Sequence, residues 1–298
     1  MNSFRFLIII GLCLCSLLPI AQAADTVEYR TLSLADYRDK MAGGWIGQMA
    51  GVGWGVPTEF VWLSKIIPAD KVPVWTPETI NQFNEDDLYV EMTFLKTLED
   101  YGLDVPLRQA GIDFANSEYK LWHANGQGRK NLRNGIAPPD SGHPAFNVHA
   151  DCIDYQIEAD YAGMIAPGLP NVGIELGEKF GSIMNYGDGI YGGQFMSGMY
   201  AEAFFETDPM KLIDAGLACI PADSQYAECI RDTVQWYKEE PEDWQATWHK
   251  LQKEWHENPE HRRIVCKERT KENMVGNIDA KLNGAYVVMG MLYGKGDM

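Results

Sequence analysis

The chain has 298 residues, 42 of them Asp or Glu against 25 Lys or Arg, giving a formal net charge of −17. A surface this acidic repels nucleic acid and anionic membranes, so neither is an expected partner. It suits a cation-binding protein, although solubility alone accounts for most acidic chains, and the length allows one large domain or two small ones.

Residues 1–23 carry one cation, Arg5, then an apolar run from Phe6 to Ile20 and the ending Ala21-Gln22-Ala23. That is the layout of a secretory signal peptide cut after Ala23, and the run is shorter than the ~20 residues of a membrane span. The mature chain, residues 24–298, is therefore expected to be secreted or periplasmic and unattached to the membrane. Cys13 and Cys15 leave with the signal. Cys152, Cys219, Cys229 and Cys266 remain, enough for one or two disulfides in an oxidising compartment, at spacings that match no zinc motif. They are read as structural.

Ser33 to Asp36 resembles a capping box, and Tyr37, Met41, Trp45, Ile46 and Met49 keep a helical spacing, which predicts a helix over about 34–50. Glycines 43, 44, 47, 51, 53 and 55 crowd this helix. Each costs up to ~1 kcal/mol there, so the cluster suggests close approach of a backbone or a ligand. Pro57 then ends the run and leaves Glu59 on a loop, before an irregular connection over 61–82. Asn84 to Glu91 follows, with four carboxylates in eight residues. Leu88, Met92, Phe94, Leu95 and Leu98 form an apolar stripe, so Glu85, Asp86 and Asp87 fall at a helix start. The helix dipole favours carboxylates there without any function. Three adjacent acids nevertheless repel one another unless a cation lies between them, and hard cations such as magnesium take such oxygen ligands.

Pro106 suits the first position of a helix reaching about Trp122. Residues 123–150, with His123, His143 and His149 among Asn, Gly and Pro, read as a long loop, and the histidines lack a metal-site spacing. A helix over Asp151–Ala162 carries Asp154, Glu158 and Asp160. Asn171 can cap the next, to about Met184. Gly189, Gly193, Ser197 and Ala201 then form a small-residue ladder that packing explains. Packing does not explain Asn185, Tyr186 and Asp188, polar groups at the mouth of that helix. Further helices are expected over 208–219, 223–238, 242–256 and 278–293. Trp236, Trp244, Trp248 and Trp255 have helical spacing; core packing is their ordinary role, a sugar- or base-binding surface the alternative. No strand alternation and no repeat competes with this all-α reading.

In this order the motifs resemble the ADP-ribosylglycohydrolase family. Gly47-x-x-x-Gly51-x-x-x-Gly55-x-x-x-Glu59 is similar to its glycine-rich first helix and following glutamate, and Asp86-Asp87 to its Thr-Asp-Asp metal motif, with Glu85 in the threonine's place. Ala162 to Gly168 resembles a Gly-x-Met-Arg-x-x-Pro segment, and Asn185 to Ala203 the helix pair that follows it. The resemblance covers about Ser33 to Phe205 and again Asn283 to Asp297. It implies an all-α orthogonal helical bundle in which two Mg2+ or Mn2+ ions hold the ribose hydroxyls of a small-molecule or protein-linked ADP-ribosyl or other glycoside substrate. Glu85, Asp86 and Asp87 would be metal ligands, Glu59 the catalytic group that orients water or acts as acid/base, and Asn185, Tyr186 and Asp188 substrate contacts. Glycosidic cleavage passes through a cationic sugar and needs an activated water, so the assignment is chemically coherent.

The chain departs from the family at Val52, Leu88 and Ile165, which replace an aspartate, a threonine and an arginine. The family's second metal motif, Asp-x-Asp before Thr or Ser, would follow Tyr293, and the sequence stops at Met298. The expectation is a piece of a longer protein that carries half of the dinuclear site. Two other readings compete with a metal-dependent hydrolase. One is a non-catalytic ligand-binding or scaffold member of the fold; the other is a metal-independent secreted glycosidase pairing Glu59 with Asp188 or Asp87.

Overall fold

The computed structural model describes residues 29–80, 85–258 and 278–296. The signal segment, Asn84 and Cys266 lie outside them. The chain divides into Met1–Thr31 and a second compact unit, Leu32–Met298. The second unit is all-α. Its helices are α1 Leu34–Gly55, α2 Asp86–Tyr101, α3 Leu107–Asn116, α4 His123–Arg133, α5 Asp154–Ile157, α6 Asp160–Met164, α7 Pro170–Leu176, α8 Asp188–Ala203, α9 Pro209–Leu217, α10 Gln225–Glu239, α11 Trp244–Leu251 and α12 Ala280–Tyr293. Among the described residues no helix is long and apolar enough to cross a membrane.

At the starts of α1, α9, α10, α11 and α12 side-chain oxygens take unpaired N–H groups of the first turn. Ser33 accepts from Asp36, Asp208 from Met210, Ser224 from Ala227, Asp243 from Ala246, and Asp279 from Lys281 and Leu282. Two clusters form the core. One joins Val90 and Phe94 of α2, Phe114 of α3 and Tyr155, Tyr161 and Phe180; the other joins Phe195 of α8 to α10 and α12 through Tyr226, Ile230, Ala285 and Val288. As its composition predicts, α12 is buried over most of its length, with Gly290 exposed.

The small-residue ladder of α8 seats the α5–α6 segment. A Cβ on Gly193 would lie 2.3 Å from the Tyr155 ring and one on Gly189 2.5 Å from the Ala150 carbonyl. Ser197 Oγ donates to the Ala159 carbonyl at 3.0 Å, and Ala201 accepts from the Gly168 N–H at 2.8 Å. The glycines of α1 divide. Gly44 meets Met164 and Gly53 the Thr79 carbonyl, whereas Gly43, Gly47, Gly51 and Gly55 face open space.

Four expectations are corrected. Residues 123–133 are helix, not loop: Gly128 packs on Ile183 and Met184, and Asn131 donates to the Ser141 and Phe146 carbonyls at 2.9 Å, so tertiary contacts override a poor helix-forming composition. The helix after Pro106 stops at Asn116 because Arg129 and Arg133 hold the Ser117 carbonyl in an extended turn. The helix expected over 151–162 is a turn followed by α5 and α6, broken where Asn185 Oδ1 takes the Tyr155 N–H and Glu91 the Asp160 N–H. Asn171 caps nothing; α7 starts one residue earlier, at Pro170 after Leu169, since proline suits the first helical position. The three described cysteines, Cys152, Cys219 and Cys229, are buried, and no disulfide joins any two of them.

Candidate functional site

At the start of α2, Glu85 is the N-cap residue and Asp86 and Asp87 form the first turn. One carboxylate oxygen from each lies within 4.8 Å of the others. Glu59 stands exposed after the short turn Val56–Thr58, its N–H bonded to the Gly55 carbonyl at 3.1 Å. Partial burial pushes its carboxyl up, and the Asp86 charge adds to this. Glu85 is raised in the same way, by burial and then by Glu59 and Asp86, with Lys120 opposing. Asp87 lies well above the ordinary range through burial and the charges of Asp86, Glu85 and Glu59. The structure thus gathers Glu59, Glu85, Asp86 and Asp87 into one electrostatic cluster.

A second layer lies behind it. Asn125 of α4 is buried, and its amide donates to Asp86 Oδ2 at 3.3 Å and to Glu158 Oε1, while its backbone N–H donates to Asp154 Oδ1 at 2.8 Å. Burial carries the Asp154 carboxyl to about 7 and Glu158 well above its usual value, and in both cases the Asp86 charge contributes. The other oxygens, Asp154 Oδ2, Glu158 Oε2 and Asn125 Oδ1, are buried without a hydrogen-bond partner among the described residues. Buried polar atoms are ordinarily satisfied, so these three point to a ligand or ordered water beside the acids. Sequence reading placed Asp154 and Glu158 on a helix and gave them no role. Their spacing of four, two acids on one helical face, was the available signal; Asn125 offered none.

Glu91, one turn beyond Asp87, does not join the cluster. It is buried against α6, where Oε1 accepts the Asp160 N–H at 2.9 Å, and burial with the Asp160 charge drives it upward. The three residues at the mouth of α8 also sit elsewhere. Asn185 is buried with its amide spent on the Ala150 and Cys152 carbonyls, at 3.0 and 2.9 Å, and on the Tyr155 N–H. It therefore positions the chain leading to Asp154. Tyr186 is exposed and meets His143 edge to face at 5.0 Å. Asp188 accepts the Tyr226 N–H at 3.2 Å; burial raises its carboxyl, and the charges acting on it are Lys281, Asp279 and Asp151.

A cavity of about 550 Å3 opens beside Glu59 between the 58–67 segment and helices α11 and α12. Phe60, Trp62, Trp244, Trp248, Tyr286 and Tyr293 give it an aromatic wall. Of the four tryptophans, Trp244 is exposed at this wall, and Trp248 lines it while packing against the core. Trp255 is core, its indole N–H donating to Asp232 at 2.9 Å, and Trp236 packs against the same core.

The donor set at Glu85, Asp86 and Asp87 fits a hard divalent cation. It offers only carboxylate oxygens, and their mutual repulsion, opposed at Glu85 by Lys120, is what a positive ion relieves. Comparison with protein families matches residues 33–288 to the model described as ADP-ribosylglycohydrolase, a continuous stretch that includes residues 206–282, where the motifs were not legible. Searches of curated proteins and of solved structures gave no match.

Proposed function

Because this chain belongs to the ADP-ribosylglycohydrolase family, we propose that it is a secreted, metal-dependent hydrolase of a ribosyl or glycosyl linkage, with an ADP-ribosyl group on a small molecule or a protein as the substrate class. The observation that carries this reading is the electrostatic convergence of Glu59, which also lines the aromatic cavity, with Glu85, Asp86 and Asp87. Glu85, Asp86 and Asp87 would hold Mg2+ or Mn2+, which supplies a fixed positive charge for substrate hydroxyls and water. Asn125 holds Asp86 in place, and the Asp154–Glu158 layer holds Asn125.

Glu59 is the group free to meet substrate. Burial and then the Asp86 charge raise its carboxyl, the direction that favours a group exchanging protons with water. As a carboxylate it takes a proton from water; the water oxygen bonds the anomeric carbon as the bond to the leaving group breaks and the departing atom keeps that electron pair. The aromatic wall offers flat rings to a base or an aglycone. In this reading Tyr186 and Asp188 remain candidate substrate contacts, and Asn185 acts through the chain it positions.

Glu59→Gln tests the assignment. Its kcat on an ADP-ribosyl substrate should fall about a hundredfold or more, while the rise in melting temperature on adding magnesium persists. Undiminished turnover would remove Glu59 from catalysis. A metal-independent carboxylate pair keeps one observation in its favour, the Glu59 charge acting on Asp87; turnover unchanged in a chelator would select it. Turnover by the wild type in either assay eliminates a purely non-catalytic scaffold. Secretion rests on residues 1–23: the exported protein should begin at Ala24 by intact mass, and a retained N-terminus would oppose it.

A further inference from the structure

Beside the carboxylates stand three donors of a different chemical type. His149 and Cys152 lie on one turn, closed by the Cys152 N–H on the His149 carbonyl at 2.9 Å, and the Cys152 sulfur is 3.7 Å from Nδ1 of His149. His123, the first residue of α4, places its ring 5.3 Å from that of His149, edge to face. One donor atom from each of the three lies within 4.8 Å of the other two.

The surrounding chain fixes these positions. Asn147 Oδ1 accepts the His149 N–H at 3.0 Å, while its amide donates to the carbonyls of Ala124, beside His123, and of Met184. Asn185 holds the Cys152 carbonyl, and Cys152 forms a backbone bridge with Asp279. Cys152 is buried and the imidazoles half-buried, so the donors sit at the boundary of the core.

Around a tetrahedral zinc ion, bonds of about 2.3 Å to sulfur and about 2.0–2.1 Å to nitrogen set those two ligands about 3.5 Å apart. The Cys152–His149 separation is close to that, and rotation of the half-buried His123 ring brings in the third donor. Thiol and imidazole select zinc-class ions, whereas magnesium selects oxygen. We propose that His123, His149 and Cys152 form a site for a zinc-class divalent ion, with three protein ligands and one open position. On binding, the thiol proton leaves to solvent and the sulfur ligates as thiolate. The site adjoins the acidic cluster: the Trp122 backbone, preceding His123, bonds Asp86, and Phe60, following Glu59, packs 5.9 Å from the His123 ring. Its existence does not depend on the hydrolase reading.

Cobalt(II) titration of the full chain in excess magnesium, followed by competition with zinc, tests this. One equivalent should bind with a thiolate-to-cobalt charge-transfer absorption that zinc displaces. Cys152→Ser should abolish the absorption, and both Cys152→Ser and His123→Ala should weaken zinc at least about tenfold. Circular dichroism reports whether the buried Cys152→Ser variant folds; if it does not, His123→Ala decides. The absence of saturable binding, a cobalt spectrum without the thiolate band, or zinc affinity unchanged in His123→Ala overturns the proposal.

Discussion

Asp86→Asn is expected to abolish the response to magnesium and to lower kcat/KM about a hundredfold or more, while raising the melting temperature of the cation-free protein. Loss of activity and gain of stability have one cause. Asp86 is buried, and its charge raises the carboxyls of Glu59, Asp87, Asp154 and Glu158. In a protein interior of effective dielectric about 20, two like charges ~6 Å apart repel by roughly 3 kcal/mol, so removing the charge at their centre relieves several unfavourable pairs. Asparagine keeps an oxygen for the Asn125 amide, so the hydrogen bond that orients the side chain is retained. The wild type, by contrast, should gain about 2.7 kcal/mol from magnesium at a hundred times its dissociation constant. Thermal melts with magnesium and with chelator, alongside turnover of an ADP-ribosyl substrate, give both readouts. If the variant keeps the magnesium-dependent shift, the ion is not held at this helix start; if its cation-free melting temperature falls, Asp86 is a structural acid and the cluster is not repulsive.

The parts of this arrangement that sequence could reveal are those carried by local periodicity and by runs of one residue type. The apolar stripe from Leu88 to Leu98 and the three acids before it put a carboxylate cluster at a helix start, where it stands. The ladder from Gly189 to Ala201 announced a close contact without naming its partner, which is the α5–α6 segment bearing Asp154 and Glu158. Long-range pairing was hidden. Asn125 lies in a stretch of glycine and asparagine with no helical signature, and only tertiary packing makes it a helix and turns that amide toward Asp86. Asn185 misled for a related reason: a polar residue before a helix has the same appearance in sequence whether it meets a ligand or clamps three backbone groups, and here it does the second. His123 and His149, 26 positions apart, lacked a common period and are brought together by the turn that Asn147 ties to α4.

Stability of the cation-free protein should fall as pH rises from about 4 to about 7, the reverse of what salt-bridged carboxylates produce. A carboxyl whose folded value lies above its unfolded one holds its proton in the folded chain over the interval between the two values. The folded state then binds more protons than the unfolded state, and raising the pH through that interval favours unfolding. Asp154, moved by burial from 3.8 to about 7, is worth on the order of 4 kcal/mol across the window, and Asp87, Glu91 and Glu158 are shifted in the same direction. Acids working the other way are Glu78 and Glu239, exposed, and Glu206, partly exposed, all lowered by hydrogen bonds that solvent screens. Chemical unfolding in chelator at about pH 5 and about pH 8 should therefore show the lower midpoint at the higher pH. Magnesium should shrink the difference, because ionised carboxylates bind the ion more tightly and its binding free energy adds to folding. Asp154→Asn keeps the acceptor for the Asn125 N–H and should flatten the slope in chelator without unfolding the chain. A wild type that is most stable near pH 8 in chelator would mean that the buried acids are ionised and individually compensated, and the case for a cation at the mouth of α2 would lose its electrostatic basis.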